Sequence, residues 1–353
     1  MKTSTISSSS ISNAIRYTRM KAQEELAAAT KEATTGRYAD VGAKLGAKTT
    51  RSVDLNSEVM RLENLKATNS IATSRLGASQ ATLSQMSKEG QTILNTLVAL
   101  GNNADVTTIS TAATTIGNAF ASFTDLANTS FNGEYLFAGI NTDVKPLNDY
   151  NDPATPAAKT AVTNALNTFL AAQAPPLTSV SEMSGTQMDD FITNTLTPMF
   201  TGAGWNTNWS SATDQNMTSR VNRSEVIQTS TNANTSGFRN MALVGVIAQE
   251  ILSKNLTGDA RKVASDKAVT IAGLAITGID GQRTALGLSE ARIKQVNESL
   301  DDQKNIIETH LGDLEGVDGY EASTRVNLLK ALVESSYTLT TQLMRMSLAD
   351  YLK

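Results

Sequence analysis

The chain has 353 residues with no Cys, one His and six Pro, and its 30 basic and 34 acidic side chains leave a formal net charge of −4. Without Cys it cannot carry disulfides, Cys-ligated zinc or a thiol nucleophile, and a single His excludes His-rich metal sites and disfavours a Ser–His–Asp triad. The slightly acidic balance argues against a large phosphate-binding surface, so no nucleic acid partner is expected.

At about 150 residues per domain, this length suggests about two domains. No window approaches the ~20 apolar residues of a membrane span, so no membrane partner is expected. The longest apolar stretch is ALVGVIA at 242–248. The first twenty residues lack the continuous apolar segment of a secretory signal, so export would use another route.

Residues 1–45 read as an assembly segment, disordered in the free monomer. Its start, TSTISSSSIS at 3–12, is polar and of low complexity. Further on, Ile15, Ala22, Leu26, Ala29 and Ala33 mark an Ala-rich helix that needs a partner. Arg16, Arg19 and Lys21 read as its solvated face.

Residues 46–141 read as a helical rod arm. Leu55, Val59, Leu62, Leu76 and Leu83 fit one heptad register, broken by Asn69, and Ile93, Leu97 and Leu100 extend an apolar face. The arm ends in NGEYLFAG at 132–139. Asn-Gly is a tight-turn signal, and the alternation beyond it predicts a short strand with Tyr135 and Phe137 on one side and Leu136 on the other.

Residues 142–240 read as an inserted domain. All six prolines lie between Pro146 and Pro198, and Trp205 and Trp209 follow them. By contrast, residues 1–119 hold two aromatics and 241–319 none, as suits narrow helix–helix seams. NDYNDP at 148–153 lacks the Gly and Glu of a calcium loop and reads as a turn. Asp189 and Asp190 are adjacent, so on a helix they diverge rather than cooperate. GAGW at 202–205 lacks a dinucleotide fingerprint, and the two tryptophans read as the insertion's core.

Residues 241–318 read as the returning arm. Leu286, Ile293, Leu300, Ile307 and Leu314 recur every seven residues, with Val296 in the alternate seam position. Ser289, Gln303 and His310 make that seam imperfect. Gly312, Gly316 and Gly319 surround a break before a C-terminal assembly helix at 319–353. There Leu329, Leu332, Leu339, Leu343 and Met346 follow 3-and-4 spacing.

The expected fold is therefore mainly α: long coiled-coil or bundle arms from both ends of the chain flank an inserted, β-containing domain. No catalytic, cofactor-binding or metal-ligating constellation emerges, and the chain is not expected to be an enzyme. The candidate subunit-interface residues are Ile15, Ala22, Leu26, Leu329, Leu332, Leu339, Leu343 and Met346. A coiled-coil adaptor, or an activity carried in 142–240, are the competing readings of these patterns.

The Ser/Thr-rich start, the two helical arms around a variable middle and the C-terminal helix together resemble the bacterial flagellin superfamily. Within it, SFNGEYLFAG at 130–139 resembles the segment typical of the hook-associated protein 3 subfamily, the hook–filament junction subunits. LLKALVESSYTLTTQLMRMSLADYLK at 328–353 is similar to that subfamily and to flagellins generally. The stretch TTGRYADVGAKLGAKTT at 34–50 departs from relatives that carry an Asp-Pro-rich turn there.

The resemblance implies a structural protein of the flagellum, secreted through the flagellar type III apparatus with an export chaperone. Its partners would be hook-associated protein 1 on the hook side, flagellin on the filament side, and further copies of itself in a ring. Residues 1–40 and 320–353 would build an inner tube and the arms the next shell, with the insertion facing outward. A flagellin, the filament subunit itself, would share the same terminal helices.

Overall fold

The computed structural model describes residues 8–101, 105–154 and 156–351. The chain divides into two compact units, 1–64 with 299–353 and 65–298. The division cuts through both long helices instead of falling at the ends of the insertion.

In the first unit, α1 (Ser8–Thr35) is antiparallel to α11 (Gly319–Tyr351), and the two helices pack on each other. The sequence expectation for 1–45 is a segment disordered in the free monomer; residues 1–7 lie outside the described residues, and Ser8–Thr35 is helix where it packs on α11. The reason is compositional and tertiary together. Ala is the strongest helix former, and a lone amphipathic helix becomes stable once its stripe is covered. Ala22 and Ala29, one heptad apart, are buried against a seam of Ala322, Leu329 and Val333 on α11. Arg19 lies over the Tyr337 ring at 5.2 Å, and Gln23 Nε2 donates to the Tyr337 hydroxyl at 2.8 Å.

A short α2 (Val41–Leu45) follows, capped by Asp40, whose carboxylate accepts from the Ala43 amide. Next comes α3 (Thr49–Leu100), 52 residues long. In the second unit Leu76, Leu83, Ile93, Leu97 and Leu100 are buried as their spacing predicts, and so is Asn69. Asp105 then caps α4 (Val106–Ala127) by accepting from the Thr108 amide at 2.8 Å, a bond that holds its carboxyl below the ordinary range. The inner stripe of α4 is Ile109, Ala112, Ile116, Phe120 and Phe123.

The hairpin β1 (Ser130–Phe131) and β2 (Glu134–Tyr135) turns at Asn132 and Gly133, both with positive φ (53° and 85°), as a two-residue type I′ turn requires. The strand stops sooner than the alternation predicts. Leu136, Phe137 and Ala138 are all buried, because the chain here runs through the core rather than along a half-exposed sheet.

The regular elements of the insertion are largely helices: α5 (Ala157–Ala171), α6 (Gly185–Asp190), a π-helical turn, α7 (Thr197–Thr201) and α8 (Ala203–Asn208), joined by irregular chain. Among its described residues the strands are the short hairpin β3 (Thr218–Arg220) and β4 (Val226–Gln228), so the insertion contains β-structure as expected. Trp205 and Trp209 stack at 5.9 Å and Tyr150 stacks on Trp209 at 5.3 Å, so aromatics fill the space between short elements.

At the centre of the second unit is α9 (Ser236–Val246), buried at Gly237, Phe238 and from Met241 to Val246, with Ser236, Arg239 and Asn240 keeping its first turns in touch with solvent. Its glycines permit close approach. A Cβ on Gly237 would meet the Ile279 backbone nitrogen at 2.7 Å, and one on Gly245 would meet the Phe120 ring at 2.6 Å. Helix α10 (Gly258–Glu315) is 58 residues long, twice the stretch its heptads announce. Leu286, Ile293, Val296 and Leu300 are buried, while Ile307 and Leu314 are half-buried because Leu311 and Glu315 take the inner positions beyond. The break falls after Glu315, as the three glycines predict.

Candidate functional site

Among the described residues no group of acidic or His side chains could hold a metal, and no helix is long and apolar enough to cross a membrane. A groove of about 690 Å³ opens between α4 and the π-helical turn at 247–252, lined by Ile109, Ser110, Lys159, Gln249, Glu250 and Lys254. Its only carboxylate, Glu250, accepts from the Tyr150 hydroxyl at 3.1 Å, and no nucleophile stands beside a base there.

The sequence motifs resolve as structure. In NDYNDP, Asp149 accepts from the Asn151 amide and Asp152 from the Ala154 amide, which makes two Asx turns. Asp189 pairs with Lys267 at 2.9 Å while Asp190 accepts from Asn194, so the two carboxylates point apart. His310 is exposed.

NGEYLFAG is accounted for residue by residue. Arg75, buried on α3, donates to the Glu134 carboxylate at 2.6 Å and to the Tyr135 carbonyl at 2.8 Å. The Ala233 amide donates to the Phe137 carbonyl at 2.8 Å, and the Phe137 ring meets Phe238 of α9. Gly139 sits against Thr213 at positive φ, where a side chain would be strained and obstructed. The segment pins three parts of the second unit together.

In the first unit the interface candidates split between two faces. Ala22 and Leu329 lie in the α1–α11 seam, while Ile15 and Leu26 are half-buried. Leu332 and Leu339 face outward at 45% and 51% exposure. The side chains of Leu343 and Met346 lie outside the described residues. The split arises because the buried seam runs through Ala322, Leu329 and Val333, one position away from the leucines that carry the spacing.

Sequence reasoning missed Leu328, 66% exposed and one turn before Leu332, and also Tyr17 and Met20 on α1. The i, i+4, i+11 spacing of Leu328, Leu332 and Leu339 was the available signal. Removing such side chains from water contributes roughly 1.5–3 kcal/mol each, and the monomer leaves that uncollected. The arrangement is that of a helical structural protein whose terminal helices offer an apolar surface.

The comparisons agree with that class. The model of the bacterial flagellin N-terminal helical region matches residues 6–142, and that of the bacterial flagellin C-terminal helical region matches 269–352. Together these span more than half of the chain, which belongs to the bacterial flagellin family. It is a structural protein rather than an enzyme, a component of the flagellar axial structure that is exported by the flagellar system and assembles with other flagellar subunits. A solved structure from Vibrio parahaemolyticus, described as a candidate flagellar hook-associated protein, shares its fold with a TM-score of 0.54 at 11% identity. The match covers 77% of this chain and 99% of that one. No curated protein matches the chain in sequence.

Proposed function

We propose that this chain is a hook–filament junction subunit of the hook-associated protein 3 type, forming a ring onto which flagellin assembles. The observation that carries the assembly reading is the exposed stripe Leu328, Leu332 and Leu339 on α11, with Leu329 and Val333 already spent on α1. An apolar stripe left over after intrachain pairing is the surface a neighbouring copy or a flagellin would cover. SFNGEYLFAG at 130–139 and the fold shared with the Vibrio structure favour the junction position. On this reading hook-associated protein 1 lies on the hook side and flagellin on the filament side, and an export chaperone covers the chain before secretion.

The second reading, a filament flagellin, is favoured by the match of both terminal regions to flagellin models. In-frame deletion in the native bacterium separates the two. Finished hooks without filaments, with flagellin monomers in the medium, are the expected result. Filaments that persist, or the loss of all secreted flagellin, would overturn the junction reading.

A finer test uses Leu332→Glu and Leu339→Glu. Both side chains are exposed, so the monomer should keep its helical content and stability. Complementation of the deletion strain should fail, with the variant subunit recovered from the medium. Normal filaments on strains carrying both substitutions would remove α11 from the interface.

A further inference from the structure

On α3 the residues Asn69, Leu76 and Leu83 recur every seven positions and are fully buried, and on α10 Ile279, Leu286 and Ile293 do the same. Two such ladders match each other equally well after a shift of one heptad, so the aliphatic residues alone leave the register open. Asn69 breaks that degeneracy. Its Nδ2 donates to Asn297 Oδ1 at 2.7 Å and to the Val221 carbonyl at 3.1 Å, while its own Oδ1 is buried without a partner.

An orphaned acceptor at a site with no exposure costs stability. A leucine would match the apolar pattern of the ladder, whereas the amide brings a polar group into it. A shift of seven residues in either direction would set Asn69 against Glu290 or Lys304, which would bring a full charge beside a layer sealed from water. Only the observed register pairs amide with amide.

Val221 gives the layer a third member. It is itself fully buried and follows β3, and its amide donates to the Glu225 carbonyl at 3.1 Å. Glu225 in turn takes a bidentate pair from Arg292 of α10, at 2.6 and 2.9 Å. The β3–β4 hairpin of the insertion is thereby fastened to α10 at Arg292 and to α3 at Asn69.

We infer that Asn69 is a positioning residue: with Asn297 it fixes the register of α3 against α10, and through Val221 it seats the β3–β4 hairpin on that layer.

The full chain, free of cysteine, suits the test. A Cβ on Gly287 would lie 3.3 Å from Gln80 Oε1 in the observed register, so Gln80→Cys with Gly287→Cys reports it and leaves Glu290 in place. Thr73→Cys or Ser87→Cys, each with Gly287→Cys, reports a heptad shift in one direction or the other. In the parent only the first pair should form an intramolecular disulfide, read by mass spectrometry. In Asn69→Leu the shifted pairs should rise at least about threefold at unchanged helical content, and amide protection across 218–228 should fall. Asn297→Leu tests the same layer from α10 and is read alone if Asn69→Leu does not fold. A folded variant of either kind that cross-links only as the parent does would overturn the assignment.

Discussion

Arg37 Nη1 donates to Glu315 Oε2 at 3.1 Å, joining the turn after α1 to the end of α10 across 278 residues of sequence. The backbones of the same two turns also pair: the Tyr38 amide donates to the Glu315 carbonyl and the Val317 amide to the Gly36 carbonyl, each at 2.9 Å. Glu315 is buried, and its second oxygen accepts from the Ser52 hydroxyl and from Asn56 Nδ2. Nearby, Glu32 accepts from the Ala39 amide and from Arg325 of α11. Two buried carboxylates thus clasp the four chain segments that meet at one end of the α1–α11 pair.

Truncating Glu315 removes the acceptor of the buried Ser52 hydroxyl and leaves Asn56 Nδ2 only the Ser52 carbonyl, 3.0 Å away. Glu315→Ala should destabilise the first unit by about 2–3 kcal/mol, seen as earlier urea unfolding of that unit. Glu315→Gln, which keeps an acceptor oxygen, should recover part of the loss. An unchanged midpoint for Glu315→Ala would show that the clasp contributes nothing.

Two glycines of the second unit should respond in opposite directions. Gly237→Ala places a methyl 2.7 Å from the Ile279 nitrogen and 2.9 Å from the Gly278 carbonyl carbon, backbone that cannot step aside. It should cost about 1–3 kcal/mol by overpacking. Gly281→Ala meets nothing within 4 Å in the middle of α10, so helix propensity alone should raise stability by about 0.5–1 kcal/mol. Calorimetry of the two variants compares them directly.

Arg75 is buried while its partner Glu134 is half exposed, so the pair anchors the hairpin from the core side. Arg75→Leu removes two charge-assisted hydrogen bonds and should cost about 2–3 kcal/mol. The Leu136 amide, bonded to the Thr129 carbonyl at 3.0 Å, should then exchange faster with deuterium. Arg75→Lys should rescue only part of this, because an ammonium lacks the planar fork that reaches carboxylate and carbonyl together.

Burial, and then the charge and hydrogen bond of Glu250, push the Tyr150 phenol well above its ordinary value. The folded state therefore keeps the proton while an unfolded tyrosine loses it near pH ~10. Native protein then binds more protons than unfolded protein, so the contribution is complete below pH ~10 and is lost as pH rises beyond it. Tyr150→Phe should flatten the fall in melting temperature between about pH 9.5 and 11 relative to the parent. A fall of equal steepness would place the alkaline sensitivity elsewhere.

The sequence by itself determined the helical arms, because burying a stripe on a long helix requires apolar residues at fixed intervals, and Leu76, Leu83, Leu286 and Ile293 stand at those intervals. It also determined the turn at Asn132–Gly133 and the break near Gly316, where local backbone preferences are strong enough to be read without any neighbour.

Only the tertiary structure decided which of several equivalent stripes is used. On α11 the leucine spacing marks Leu329, Leu332 and Leu339 alike, yet the partner helix covers Leu329 and leaves the other two in water. In the 130–139 segment, period-2 alternation gives way to three consecutive buried residues because Arg75, Phe238 and Ala233 surround the chain on every side. Asn69 reads as a flaw in a heptad, and becomes a fixed point only when Asn297 and Val221, 228 and 152 residues away, arrive beside it. Periodicity records that a face must be buried; which neighbour buries it is set by long-range packing that no local pattern encodes.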